Sequence, residues 1–234
     1  SGDGRYVAFS SEAANLVNGD DNGKRDIFIR DRDLDEDGIF DEPGSVKTFR
    51  ISVNLTTGIQ GNGDSWEVAI SPDGQYVAFS SYASNLIAGD TNGFQDVFLY
   101  DRDSDGDGIF DEAGAVSMIR ASVSSSGAQG NSASDQPAIS DSASGVIVVF
   151  RSYASNLVLG DTNTRSDIFY RNVFAAQTVR ASVGPGALQS NANSFSPVIS
   201  ADGRYIAFVS EDSAWGLGDP NFDDIFRYDT TGIN

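Results

Sequence analysis

Two stretches of this 234-residue chain crowd carboxylates so closely that a cation is called for. Residues 31–42 read DRDLDEDGIFDE and residues 101–112 read DRDSDGDGIFDE. Seven acids and one arginine give the first a net charge of −6; six acids and one arginine give the second −5. These two loops carry eleven of the 19 excess negative charges of the chain. Like charges at this spacing repel unless something positive sits among them. Written as D-x-D-x-D-G-x-x-D, the candidate ligands are Asp33, Asp35, Asp37 and Asp41, and Asp103, Asp105, Asp107 and Asp111. Alternate residues of a tight loop face one centre. Gly38 or Gly108 permits the bend, and the carbonyl of Ile39 or Ile109 adds an oxygen. Hard oxygen donors in a flexible loop suit Ca²⁺ over Mg²⁺ or a transition metal. The expectation is about two calcium ions, one per loop, each stiffening a long hairpin. Glu42 and Glu112 follow directly as further ligands or outer-shell contacts. The alternative is a solvated acidic turn, but glycine at the required place in two matching copies argues against it.

A second acidic motif, G-D-x-N followed by an aspartate, recurs as Asp20/Asn22/Asp26, Asp90/Asn92/Asp96 and Asp161/Asn163/Asp167, with a fourth copy in GDPNFDD. One reading is a weaker metal site in each repeat. The structural reading is preferred: Asp and Asn cap turns, and the last Asp pairs with a recurring arginine, Arg50, Arg120 or Arg180. Asn15, Asn85 and Asn156, in repeated Ser/Ala-Asn-Leu steps, read as loop anchors whose leucines pack inward. Asn54-Leu55-Thr56 is a lone glycosylation sequon.

The elements that must hold these loops come from internal repetition. Segments beginning at Gly4, Gly74, Gly145 and Gly203 align with one another, and repeats divide near 1–64, 65–133, 134–192 and 193–234. Each complete unit reads as four short strands, of the types PAIS, YVAF, DIFI and RISV, rich in β-branched and aromatic residues and bounded by Gly, Asn, Asp and Ser. No segment carries a long helical period. Four antiparallel strands per unit, evenly repeated, describe an all-β propeller. The spacing from Asp26 to Arg50 and from Asp96 to Arg120 is 24 residues, against 13 from Asp167 to Arg180. The acidic loops are therefore insertions in the hairpin between the third and fourth strands. Fourteen strands fit the chain as b-c-d, a-b-c-d, a-b-c-d and a-b-c. The expectation is an incomplete ring, completed by more of a longer propeller or by another chain.

The units SPDGQYVAFSS and SADGRYIAFVS, with DIF-type strands after them, resemble the WD40-like PD40 repeats of TolB-type β-propellers, over essentially the whole chain. The acidic loops resemble the calcium loops in integrin-α propeller hairpins, whose ligands end at the ninth position. They depart from the EF-hand, whose twelfth position would here be Gly44 or Gly114. The resemblance implies a fold that hosts many functions.

There is no cysteine and no histidine. Disulfides, thiolate chemistry, His-ligated zinc and a histidine base are excluded. A Ser-Lys pair has only Lys24 and Lys47 to draw on. Paired carboxylates for glycoside hydrolysis remain open, yet most acids here belong to repeating loops. Trp66, Trp215, NVFAAQ at 172–177 and GPGALQ at 184–189 stand outside the repeat and form no acid pair. The acidic balance argues against nucleic acid. No run of about 18 apolar residues spans a bilayer. The reading is a non-catalytic calcium-binding propeller outside the cytoplasm, extracellular or periplasmic, at a prokaryotic cell surface. It would bind a protein partner, or associate with itself through open blade edges, with glycan a further candidate. The alternative is the propeller part of a larger secreted hydrolase or polysaccharide lyase, or a carbohydrate-binding propeller.

Overall fold

The computed structural model describes residues 1–142, 145–213, 215 and 223–232. Four antiparallel sheets follow one another along it. The first holds β1 (Tyr6–Ser11), β2 (Asp26–Asp31) and β3 (Lys47–Arg50). The second holds β4 (Ser65–Ile70), β5 (Tyr76–Ser81), β6 (Asp96–Asp101) and β7 (Ser117–Arg120). The third holds β8 (Ser134–Ser142), β9 (Gly145–Ser152), β10 (Asp167–Asn172) and β11 (Gln177–Arg180). A two-residue pair, β12 (Val183–Gly184) with β13 (Leu188–Gln189), brackets a 3₁₀ turn and leads to the fourth sheet. That sheet holds β14 (Ser194–Ile199), β15 (Tyr205–Ser210) and β16 (Asp224–Asp229). Strand order within every sheet is chain order, so each is a meander, and the described strands number three, four, four and three, as expected.

Strand alternation explains why the sheets stack. In β9, Val146, Val148 and Phe150 pack toward the second sheet, while Ile147 and Val149 pack toward the fourth. Side chains two apart share a face, so a YVAF-type strand serves two interfaces at once. The repeated phenylalanines pair within each sheet: Phe9 on Phe28, Phe79 on Phe98, Phe150 on Phe169 and Phe208 on Phe226, at 5.7–6.0 Å between ring centres. The two flanks of the stack are more open. Val7 is 42% exposed, whereas its repeat equivalents Val77, Val148 and Ile206 are fully buried. Ile225 is 79% exposed, against full burial for Ile27, Val97 and Ile168.

Two local features differ from the sequence reading. The outer strand ends at the recurrent arginine instead of starting there, as Lys47–Arg50, Ser117–Arg120 and Gln177–Arg180 show. The chain turns directly afterwards, where Val53, Val123 and Val183 donate to the carbonyls of Ile51, Ala121 and Ala181 at 2.8–2.9 Å. These two-residue spans are tight turns that stop the strand. The inner strands also carry a bulge, at Glu67, Gln136 and Ser196, each with positive φ. The Gln136 N–H donates to Glu67 Oε2 and the Ser196 N–H to Gln136 Oε1, both at 2.8 Å. The bulges thus form a hydrogen-bonded relay from blade to blade.

Candidate metal centre

Each acidic loop spans the hairpin between a third and a fourth strand, β2 to β3 and β6 to β7. The first Asp of each triad is buried and organises the turn. Asp33 accepts from the Asp37 and Gly38 N–H groups at 3.1 and 3.0 Å. Asp103 accepts from Gly106, Asp107 and Gly108 at 2.9, 3.1 and 2.9 Å. Gly38 and Gly108 sit at φ +87° and +88°, a region that favours glycine. The result is a carboxylate cluster: Asp33, Asp35 and Asp37 can each offer an oxygen within 4.8 Å of the others, and so can Asp103, Asp105 and Asp107. One member of each triad is buried and two are exposed.

The electrostatics follow from this geometry. Desolvation pushes the Asp103 carboxyl up, but the Gly108, Asp107 and Gly106 N–H groups outweigh it and hold it below the usual range. Asp105 is raised, by desolvation and then by its neighbour Asp107. Three carboxyl groups converging on one point, two of them open to solvent, fit a hard divalent cation with some coordination left to water.

The ninth-position aspartates lie elsewhere. Asp41 accepts from Arg32 Nε and Nη2 at 3.0 and 2.6 Å, and Asp111 from Arg102 at 3.0 and 2.6 Å. Each also donates its N–H to the carbonyl of that same arginine. The arginine of the D-R-D run therefore closes the loop as an ion-paired clasp. Ile39 and Ile109 donate N–H to Asp37 and Asp107, and their side chains are exposed. Glu42 and Glu112 stand outside both triads; their carbonyls accept from Ser45 and Ala115.

The G-D-x-N residues build a different, buried unit. Asn22, Asn92 and Asn163 donate to Asp26, Asp96 and Asp167 at 2.8–2.9 Å. Arg50 pairs with Asp20 and Asp26 at 3.0 and 3.5 Å, and Arg120 with Asp90 and Asp96 at 2.8 and 3.3 Å. Arg180 faces Asp161 and Asp167 at 3.4 and 3.8 Å. Ser52, Ser122 and Ser182, two residues past each arginine, donate to the same strand-opening aspartates. Burial raises Asp90, Asp96 and Asp161, and pushes Asp167 up to about 6. With an arginine already between each pair of carboxylates, these units have their cation. The fourth copy of the motif lies mostly outside the described residues.

One member of this unit escaped the sequence reading. Gln60 and Gln129 receive the N–H groups of the G-D-x-N turn and donate to the Gly19 and Gly89 carbonyls, and Gln189 donates to Asp161. GPGALQ is therefore in register with the repeat at its glutamine, as the recurring Gln-Gly/Ser-Asn triplet signals. Asn85 and Asn156 then reach back to the Gln60 and Gln129 carbonyls at 2.8 Å, tying each blade to the one before. Leu86 and Leu157 pack inward, whereas Asn15 and Leu16 are exposed. The sequon side chain is also engaged, Asn54 Nδ2 donating to the Asn85 carbonyl at 2.7 Å.

No protein-family model matches the chain, and no curated protein matches it in sequence. Solved structures do. A protein of Agrobacterium tumefaciens described as TolB aligns over 99% of this chain at 17% identity and a TM-score of 0.52, with 60% of its own length covered. The chain has the all-β propeller fold. TolB of Acinetobacter baumannii aligns over 98% of it at 16% identity and a TM-score of 0.48, with 39% of that protein covered. The chain thus spans less than two thirds of either TolB protein. Among the described residues no helix is long and apolar enough to cross a membrane.

Proposed function

We propose that this chain is a calcium-stabilised propeller module of non-catalytic type, working in binding or self-assembly outside the cytoplasm. The observation that carries the reading is the pair of matching aspartate triads, set in matching insertions on adjacent blades. Calcium would be held by Asp33, Asp35 and Asp37 and by Asp103, Asp105 and Asp107. When bound, it would neutralise the repulsion within each loop and fix the hairpin. Extracellular calcium modules bind the ion in the range of about 10⁻⁴–10⁻³ M, through exposed carboxylate loops of this kind, which supports the location. The lack of histidine and cysteine supports the non-catalytic role. The exposed apolar residues Val7 and Ile225 on the flanks support packing against a further blade-like surface, supplied by more of a longer propeller, by a second copy or by a partner. The test compares thermal unfolding of chelator-treated protein with and without calcium, and with magnesium as a control. A rise specific to calcium supports the reading; equal midpoints in all three overturn it.

A further inference from the structure

The two loops share a motif but not a setting. Arg32 and Arg102 make the same bonds within their own blades: each clasps its ninth-position Asp, and each Nη1 donates to a glycine carbonyl, Gly4 at 2.8 Å or Gly74 at 2.7 Å. The difference lies outside the blade. The Arg32 side chain is 30% exposed, with Phe40 of its own loop as its ring neighbour at 4.9 Å. The Arg102 side chain is 1% exposed, its guanidinium lying 3.9 Å from the ring centre of Tyr6 in the first blade. Phe110, from the loop itself, is 4.7 Å from the guanidinium and 5.7 Å from the Tyr6 ring. The Tyr6 ring also lies over the Gly74 turn, so tightly that a Cβ at Gly74 would stand 2.6 Å from it.

Arg102 bonds the residue that closes the loop and stacks on a residue of the neighbouring blade. We infer that the second loop's affinity for calcium is coupled, through Arg102 and Tyr6, to the docking of the first blade on the second, and more strongly than the first loop's, which Tyr6 reaches only through Arg5 and its bond to the exposed Glu36. This rests on the calcium reading above. Equilibrium coupling is reciprocal: whatever factor Tyr6 adds to calcium affinity at the second loop, calcium adds to the docking of Tyr6. Calcium at the second loop would then hold two blades together, and calcium at the first would stiffen one hairpin.

The experiment isolates the loops. Asp37→Asn leaves the second loop intact, and Asp107→Asn leaves the first. Calcium affinity is measured by calorimetry in each background, with and without Tyr6→Leu, which removes the ring and keeps apolar bulk. The expected result is a threefold to tenfold loss at the second loop, in line with a partly buried cation–π contact. The first loop should change less than twofold, which also reports that the variant is folded. Tyr6→Phe keeps the ring and loses only the hydroxyl's interaction with Arg102, so it should cost the second loop less than Tyr6→Leu and leave the first unchanged. An independent arm reads amide exchange in β1, which calcium should slow more in the Asp37→Asn protein than in the Asp107→Asn protein. Equal losses at both loops, no loss at the second, or unchanged β1 exchange overturns the coupling and leaves the calcium reading standing. Absence of calcium heat in the wild type and both backgrounds overturns the calcium reading and the coupling together.

Discussion

The Gly108 N–H donates to Asp103 Oδ2 at 2.9 Å, closing a turn that Gly38 and Asp33 repeat at 3.0 Å. Both turns thus form from the chain's own bonds, and the remaining carboxylates converge on each. Calorimetry on chelated protein should therefore register about two calcium sites. Asp107→Asn should remove one and leave the other. A single site lost on substituting both triads, or no heat at all, would contradict the assignment.

The glycines themselves offer a second test. Gly108 has φ +88° and open space within 4 Å of where a Cβ would sit, so Gly108→Ala meets backbone strain and no clash. The expected cost is about 1–2 kcal/mol of calcium-loaded stability, by denaturant unfolding. A neutral substitution would mean that the turn relaxes without changing the triad.

The buried arginine units are a structural matter and should behave so. Arg120→Met would leave Asp90 and Asp96 charged in a dry site, at a cost of about 3–5 kcal/mol. Calcium affinity per folded molecule should stay within a factor of two, since neither triad touches Arg120. A collapse of calcium affinity in still-folded protein would assign these units to the metal site after all.

What the sequence made legible, and what it did not, follows from the same physics. The strands were readable because each repeat carries the same β-branched core and the same Gly, Asn and Asp punctuation. The triads were readable because alternate aspartates around a glycine have few other uses. The fate of Asp41 and Asp111 was not, because a ninth-position carboxylate has the same spacing whether it meets a metal or an arginine. The arginine in each D-R-D run was the available sign. Gln189 was not legible from the strand pattern, because it lies beyond the outer strand, where the repeat carries no β signature. The bulges gave no signal: Glu, Gln and Ser share no backbone preference for positive φ.

The pH response should change sign with the metal. Burial pushes Asp167 up to about 6, and burial with the nearby Asp73 pushes Asp141 up to about 6. Between about pH 4 and 6 the folded protein therefore holds protons that the unfolded chain has released. Metal-free stability should fall as pH rises through that window, by up to about 3 kcal/mol from Asp167 alone. Below it the opposite groups act. Asp229, held down to about 2 by Thr231 and Arg204, loses its stabilising charge as pH drops from its unfolded value. With calcium present, ionised ligands bind more tightly, so stability should instead rise from pH 4.5 toward neutrality. Unfolding midpoints in chelator and in calcium at both pH values check this; parallel profiles would contradict it.

The bulge relay separates backbone strain from hydrogen bonding at one position. Glu67 has φ +45°, and its carboxylate accepts from the Gln136 N–H at 2.8 Å and from the Ser80 hydroxyl at 3.1 Å. Glu67→Ala removes the acceptor and keeps a Cβ in a region L-residues disfavour. Glu67→Gly removes the same acceptor and relieves the strain. If the relay holds adjacent blades, both should destabilise, and alanine should be worse than glycine by about 1 kcal/mol. Gln136→Leu should act one blade further on, leaving the Ser196 N–H without its side-chain acceptor, and should speed amide exchange at Ser196 while leaving the residue-136 N–H, bonded to Glu67, protected. Were glycine at 67 to match or exceed wild-type stability, strain would outweigh the bond and the relay would be a consequence of the bulges. Were alanine and glycine equally costly, the bond would carry the whole effect and the positive φ would be nearly free.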